Sequence, residues 1–187
     1  MMTTISVAES CTGGLLANSF VSVSGASRYF EGGIVCYNID QKCRHLGVDR
    51  DEAARCDCVS EGVARQMARG CAHLFGTRFA VSTTGFAEPR RESISLSLSC
   101  SSDDVVNFVT HPPVAFVSIY DNLQDSYIDI QVEHDGIMDR NAFRQYIVDV
   151  AKNKLLDTDI VSRPAAVVPC HESGGYGHRP SSGTRGG

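Results

Sequence analysis

The sequence begins with a strand, a glycine turn and a helix. This unit is the feature that most limits which folds the chain can adopt. Residues 3–10, TTISVAES, are short, apolar and β-branched, which predicts a buried strand. Gly13 and Gly14 supply the turn, and residues 14–23, GLLANSFVSV, have a helical character that ends before Gly25. A buried strand followed at once by a helix is typical of α/β proteins.

Strands and helices continue to alternate as far as residue 85. The segments GGIVCYN at 32–38 and TRFAVSTTG at 77–85 predict two further strands. Between them a short helix is expected from Ile39 to Leu46, because Gly47 follows as a stop signal.

A longer helix is expected over residues 59–76. Ser60 can cap its start and Gly76 can end it. Its apolar side chains recur at helical spacing, which predicts one buried face made of Val63, Met67, Cys71 and Leu74.

The second half of the chain predicts locally paired strands and a last helix. Residues 86–112 contain charges and the serine-rich run ESISLSLSCSSDD, whose alternation could form an exposed strand but whose composition is typical of a loop insertion. Residues 113–121 and 125–134 predict a hairpin of two strands around Asp121 and Asn122. An amphipathic helix is expected over 139–156, with an inward face formed by Phe143, Tyr146, Ile147 and Val150.

These elements predict a three-layer α/β/α sandwich with a mixed sheet. One domain is expected over residues 1–163. Residues 164–187 are rich in Gly, Ser and Pro and predict a mobile tail. In such sheets ligands bind at the carboxyl ends of strands, where the opening turn, Tyr37 and Thr84 are expected to lie.

Charge and hydropathy patterning exclude several classes of function. The net charge is −5 and no stripe of Lys and Arg is present, so nucleic acid is not an expected partner. No apolar run is long enough to span a membrane, and no basic segment followed by an apolar signal region is seen near Met1. We therefore expect a cytoplasmic protein without a membrane partner.

Eight cysteines are present, and we expect them to be reduced thiols. The alternative to free thiols at Cys56 and Cys58 is a zinc site formed with His45 and His73. The C-x-C spacing lacks the two intervening residues that zinc sites favour, and no second pair follows at a suitable interval. No metal is expected.

The turn from Glu9 to Gly14 admits two interpretations. It follows a strand and starts a helix, so free N–H groups there could hold an anion. Alternatively, Ser10 or Thr12 caps the helix while Gly13 and Gly14 allow tight packing. The spacing matches neither the P-loop nor the G-x-G-x-x-G fingerprint, so the residues alone leave both readings open.

A second candidate cluster contains a hydroxyl, a phenol and an amine. Ser27 lies in a loop, Tyr37 at a strand end, and Lys42 one helical turn further on. A serine hydroxyl needs a base, and a desolvated Lys or Tyr with a lowered pKa can serve. The alternative is an exposed lysine beside a half-buried tyrosine.

Several sequence blocks occur in one order that resembles the C-terminal domain of the CinA (competence/damage-inducible) family. They are AESCTGGLLA, SGAS-x-YFEGGIV-x-Y, K-x-x-x-LGV, VSEGVARQMARG and TTGFA, and the resemblance extends roughly from Thr4 to Leu156. Stand-alone domains of that family act as nicotinamide-nucleotide amidohydrolases. The resemblance therefore implies a hydrolase that converts nicotinamide mononucleotide to nicotinic acid mononucleotide and ammonia, without a cofactor.

The resemblance also implies roles for individual residues. Ser27 would be the nucleophile, and Tyr37 and Lys42 would manage its proton. Thr84 would be the active-site threonine, and Arg140, in DGIMDRNAFR, would contact the substrate phosphate. Arg144 would be a charge on the helix surface. The remaining substrate-binding candidates are Ser10, Thr12, Gly13, Gly14 and Gly85.

The sequence departs from the family after the TTGFA block. A glycine run and a lysine are lost, the serine-rich insertion intervenes, and Ala115 and Phe116 replace a Gly-Thr pair. Phe116 would narrow or reshape the site, while Arg90 and Arg91 would add positive charge in place of the lysine. The alternatives to an enzyme are a catalytically silent nucleotide-binding or regulatory protein on the same fold, and a structural homo-oligomer. In each case a homodimer or higher oligomer is expected.

Overall fold

A five-stranded mixed sheet forms the centre of the computed structural model, which describes residues 3–95, 106–134 and 138–157. The strands are β1 (Ile5–Glu9), β2 (Phe30–Val35), β3 (Phe79–Phe86), β6 (Val114–Asp121) and β7 (Ser126–Glu133), in the spatial order β2-β1-β3-β6-β7. β1 pairs in parallel with β2 and β3, whereas β6 and β7 add antiparallel. This confirms the expected α/β fold with a mixed sheet.

Helices cover both faces of the sheet. They are α1 (Leu15–Val21), α2 (Ile39–Leu46), α3 (Arg50–Arg55), α4 (Glu61–Phe75) and α5 (Arg140–Asp157). Side chains alternate between the faces of a strand. Val7 and Val81 therefore pack with α1 and α5 in one core, and Ala8 and Ala80 pack with α2 and α4 in the other. Three layers result.

Local capping determines the bounds of the helices beside the site. The Asn38 side chain accepts a hydrogen bond from Gln41 N, and Gly47 ends α2 at φ 66°. Ser60 caps α4 in the same way through Val63 N, and Gly76 ends it at φ 65°. The predicted bounds of α2 are confirmed, and α4 lies within its predicted range.

The structure corrects the predicted helices in three places. Helix α3 was not predicted. Leu74 and Tyr146 are exposed rather than buried, because Val63, Met67 and Cys71 suffice for the inner face of α4, and Phe143, Ile147 and Val148 form that of α5. Val150 is partly buried, and the tail at 164–187 lies outside the described residues.

The region predicted as a loop insertion contains two strands. β4 (Arg90–Ser95) and β5 (Val106–His111) pair antiparallel as a separate two-stranded sheet. Residues 96–105 lie outside the described part. In the parts of the chain that the structure describes, no helix has the length and apolar character needed to cross a bilayer.

Candidate active site

A cavity of about 640 Å³ lies beyond the carboxyl ends of β1, β2 and β3. Its size falls within the range of small-molecule sites, and strand ends of this kind are where α/β sheets bind ligands. Six residues singled out from the sequence line it: Ser10, Tyr37, Lys42, Thr84, Gly85 and Arg140. Arg90, expected to add positive charge near the site, also lines it, whereas sequence reasoning missed other wall residues, among them Glu88.

Lys42 and Ser10 form a buried pair in the wall of this cavity. Lys42 Nζ donates to Ser10 Oγ at 2.9 Å and to the carbonyl oxygen of Cys36 at 2.8 Å. Only 1% of Lys42 and 7% of Ser10 is exposed. Ser10 directly follows β1, and Lys42 lies in the first turns of α2, the helix that follows β2. Because β1 and β2 are parallel, both residues lie at the same edge of the sheet.

Burial lowers the pKa of the Lys42 amine below its usual range, while nearby Cys58, Cys36 and Cys11 act in the opposite direction. None of the ion pairs found among the described residues includes Lys42. A buried cation without a carboxylate partner is costly, and this cost favours the neutral amine. Neutral Nζ can accept a proton from Ser10.

The structure does not bring Ser27 to this pair, which corrects its assignment as nucleophile. Ser27 is exposed in a 3₁₀ turn, Ala26–Arg28, that precedes β2, whereas Lys42 follows β2. A strand of six residues spans roughly 17 to 20 Å. The two side chains therefore lie at opposite ends of the strand, and the hydroxyl that contacts Lys42 is that of Ser10.

The cysteine thiols around Lys42 are less suited than Ser10 to act as a nucleophile. Burial raises the pKa of the Cys11 thiol to about 12 and also raises the pKa of Cys58. Both thiols are therefore protonated at neutral pH. Among the described residues, no group of His, Cys, Asp and Glu side chains is arranged to hold a metal ion.

Tyr37 belongs to the rim rather than to the buried pair. Its side chain is 62% exposed, and its hydroxyl accepts a hydrogen bond from Arg140 Nη2 at 3.1 Å. Arg140 Nη1 also contacts Glu88 Oε2 at 3.2 Å. Asp139 caps α5 through Asn141 N and Ala142 N, which places Arg140 at the mouth of the cavity.

Thr84 fixes a strained loop in the opposite wall. Its buried hydroxyl donates to the carbonyl oxygen of Cys58 at 2.7 Å. Asp57 and Cys58 both have left-handed backbone conformations, at φ 50° and 62°. Such conformations are costly for residues other than glycine and are held by their surroundings. Next to Thr84, a Cβ at Gly85 would lie 2.5 Å from Val114 O, so the close approach of β6 at this one position requires glycine.

The helix N-terminus that could have held an anion is occupied by the protein's own Glu9. One oxygen of this buried carboxylate accepts from Thr12 Oγ1 and from the N–H groups of Gly14 and Leu16, and the other accepts from Ala17 N, all at 2.7 to 3.0 Å. Glu9 therefore caps α1. Sequence reasoning missed this role, although a carboxylate at the end of the strand, four residues before the Gly-Gly pair, was visible.

Thr12, Gly13 and Gly14 shape the turn and are not among the residues that line the cavity. Arg144 contributes to the same structure. Its Nε donates to Cys11 O at 2.9 Å and its Nη2 to Thr12 O at 2.8 Å, so it ties α5 to the turn. The assignment of Arg144 as a helix-surface charge is therefore wrong.

The fold and site together define an α/β/α sandwich that carries a serine–lysine pair at the strand ends. The model of the CinA C-terminal domain matches residues 1–96, just over half of the chain. The chain belongs to the CinA C-terminal domain family.

Curated relatives and solved structures agree with this family. CinA-like proteins of Chlorobium chlorochromatii and Chlorobium limicola are 51% and 53% identical over 86 and 85 residues, which are 46% of this chain and 20% of each relative. The matched stretch thus spans a fifth of these relatives.

Solved structures extend the similarity over most of the fold. The competence/damage inducible protein CihA of Agrobacterium tumefaciens is 26% identical with a TM-score of 0.66, and the match covers 83% of this chain and 84% of that one. ComA of Klebsiella pneumoniae has a TM-score of 0.68 over 86% of this chain and 89% of its own. At 19% identity, the second shows the fold alone.

Proposed function

We propose that the protein is an amidohydrolase that converts nicotinamide mononucleotide to nicotinic acid mononucleotide and ammonia, with Ser10 as the nucleophile. The observation that carries this proposal is the buried contact of 2.9 Å between Ser10 Oγ and Lys42 Nζ in a cavity of small-molecule size. Serine–lysine pairs are an established variant of the catalytic triad. Membership of the family supports this substrate, and the contact with Lys42 supports Ser10 rather than Ser27 as the nucleophile.

The reaction begins with the neutral Lys42 amine as general base. As Ser10 Oγ bonds to the carboxamide carbon, its proton passes to Nζ and the carbonyl oxygen takes the negative charge. The backbone N–H of Cys11, directly after Ser10, is a donor that could stabilise this oxyanion. Collapse of the tetrahedral intermediate breaks the C–N bond, and Nζ returns the proton to the leaving ammonia.

Water then completes the cycle by attacking the acyl-enzyme. Lys42 takes a proton from this water, the carboxylate of nicotinic acid mononucleotide forms, and Ser10 leaves with its hydroxyl restored. Thr84 contributes by holding the Cys58 loop in the cavity wall. It is therefore a positioning residue in this scheme.

Arg140 is the residue we assign to the substrate phosphate. Its guanidinium lies at the cavity mouth and can offer two parallel N–H donors to a phosphate oxygen pair. In the structure these donors contact Glu88 and the Tyr37 hydroxyl instead. A phosphate would replace Glu88, leaving Tyr37 to fix the guanidinium plane.

The decisive test measures ammonia release from nicotinamide mononucleotide by the purified protein. Ser10→Ala is expected to abolish turnover, while Ser27→Ala, the matched serine control, is expected to retain it within about twofold. Activity lost in Ser27→Ala but kept in Ser10→Ala would overturn the assignment. Binding of the nucleotide without ammonia release would indicate the silent nucleotide-binding alternative. The expected homo-oligomer and cytoplasmic location stay predictions, the first open to sedimentation analysis.

A further inference from the structure

A second cavity, of about 580 Å³, adjoins the first. The two cavities share five wall residues, which are Ala54, Asp57, Val59, Phe86 and Arg90. The two cavities are therefore adjacent, and a ligand long enough to pass these shared residues would reach both. Nothing in the proposed reaction on a mononucleotide uses this space.

The second cavity lies on the sheet face beyond the start of α4. That helix covers Ser82, whose hydroxyl donates to Ala64 O, but it begins only at Glu61. The last rows of the sheet on this face pair Phe86 with Val114 and Glu133, and Thr84 with Phe116 and Gln131. The opposite wall comes from the β4–β5 hairpin through Arg90, Glu92 and His111.

The walls of this cavity combine flat apolar surfaces with hydrogen-bond acceptors. The Arg90 guanidinium carbon lies 4.2 Å from the centre of the Phe86 ring, and Phe116 is only partly buried. Around them stand the Gln131 amide and the carboxylates of Glu92 and Glu133. Aromatic and guanidinium planes stack on heterocycles, and carboxylates accept from exocyclic amino groups.

Arg90 lines both cavities, and its two terminal nitrogens face carboxylates. Its Nη2 contacts Glu92 Oε1 at 2.8 Å and its Nη1 lies 3.6 Å from Asp57 Oδ2. Its Nε is buried and has no hydrogen-bond partner in the described part of the chain. With Arg140 at the mouth, two guanidinium groups border the first cavity and suit a linker with more than one phosphate.

We propose that the second cavity binds a second heteroaromatic base, so that the substrate class is a dinucleotide carboxamide rather than a mononucleotide alone. The carboxamide end occupies the Ser10–Lys42 cavity, the phosphates pass Arg140 and Arg90, and the far base stacks at Phe116 and the Arg90–Phe86 pair. This inference rests on the proposed amidohydrolase function. In this proposal the inserted hairpin forms one wall of the substrate-binding cavity.

The kinetic test compares ammonia release from nicotinamide adenine dinucleotide and from nicotinamide mononucleotide. Phe116→Ala is expected to lower kcat/KM for the dinucleotide about tenfold and for the mononucleotide less than twofold, since stacking on one base is lost. Arg91→Ala, which removes an exposed arginine of the same hairpin, is the control and is expected to change neither. Equal effects on both substrates, or no effect on either, would overturn the proposal.

A binding test separates this proposal from the proposed reaction. Adenosine monophosphate is titrated calorimetrically into Ser10→Ala protein and into the Ser10→Ala, Phe116→Ala double variant. Binding to the first, weakened about tenfold in the second, is expected whether or not ammonia is ever released. Equal binding to both, or none to the first, contradicts the second cavity's role. If Phe116→Ala fails to fold, Phe116→Leu takes its place, because it keeps apolar volume and removes the flat ring.

Discussion

Lys42 Nζ lies 2.9 Å from Ser10 Oγ although the two residues are 32 positions apart in the chain. Both side chains are buried, and the amine has backbone carbonyls rather than a carboxylate as its other partners. Burial removes the solvation of the lysine amine, and its hydrogen bonds to Ser10 and to two backbone carbonyls offset only part of that cost, because no carboxylate neutralises the charge. The arrangement is therefore understandable as a device for chemistry.

Replacing Lys42 by methionine tests that relation. We expect Lys42→Met to lose ammonia release by at least about a thousandfold, because Ser10 loses its base. We also expect the melting temperature to change by only a few degrees, since removing the desolvated amine is stabilising while the loss of its hydrogen bonds to Ser10 Oγ and Cys36 O is destabilising. Thermal unfolding and a turnover assay on the same preparation measure both. A large fall in melting temperature would instead indicate a structural role.

The pH dependence follows from the lowered pKa of Lys42. Because the neutral amine is the base, kcat/KM is expected to rise with pH through the folded-state pKa, which lies below the ordinary value of 10.5. Between these two values the unfolded chain binds more protons than the folded one, so stability also rises with pH across this window. Chemical denaturation at several pH values measures this rise, and Lys42→Met is expected to diminish it. A stability profile that is unchanged in the variant would contradict the shift.

Glu9 supports the loop that carries Ser10, and its removal is expected to cost stability. Glu9→Gln keeps the shape but turns a donor toward N–H groups that need acceptors, so we expect a loss of about 2 to 4 kcal/mol in the free energy of unfolding. Urea denaturation measures it. Glu31→Gln alters an exposed carboxylate on β2 and is the matched control, with an expected change below about 0.5 kcal/mol. Equal stability of both variants would show that the cap at α1 contributes little.

The location of the site was predictable from the sequence, but the contact between Ser10 and Lys42 was not. The ends of α2 and α4 are set by contacts within a few residues, which sequence patterns can show. The capping residues are Asn38 and Gly47 for α2, and Ser60 and Gly76 for α4. The Ser10–Lys42 contact depends on two strands lying parallel in one sheet. Ser27 is closer to Lys42 along the chain, yet β2 lies between them, and a strand between two residues separates them in space.

The inserted hairpin was only partly predictable from the sequence, which allowed an exposed strand but favoured a loop. Its serine-rich composition is typical of loops, and its strands pair only with each other, away from the main sheet. Arg90 in β4 and Phe116 in β6 line the same cavity only because the hairpin folds next to β3 and β6. The sequence does not show that contact between distant segments. Charge at Arg90 was anticipated near the site, whereas Arg91 is exposed and lines neither cavity.

The contact between Arg140 and Glu88 leads to a prediction about substrate affinity. Glu88 competes with a phosphate for the same guanidinium donors, so Glu88→Gln is expected to lower KM for nicotinamide mononucleotide about two- to fivefold while kcat stays within twofold. Arg140→Ala is expected to raise KM at least tenfold, and Arg140→Lys to recover only part of the loss, because lysine cannot present two parallel donors. Nicotinamide riboside, which lacks the phosphate, provides the control substrate. If Glu88→Gln improves the riboside as much as the mononucleotide, the phosphate does not bind at Arg140, since only the mononucleotide carries the group for which Glu88 competes.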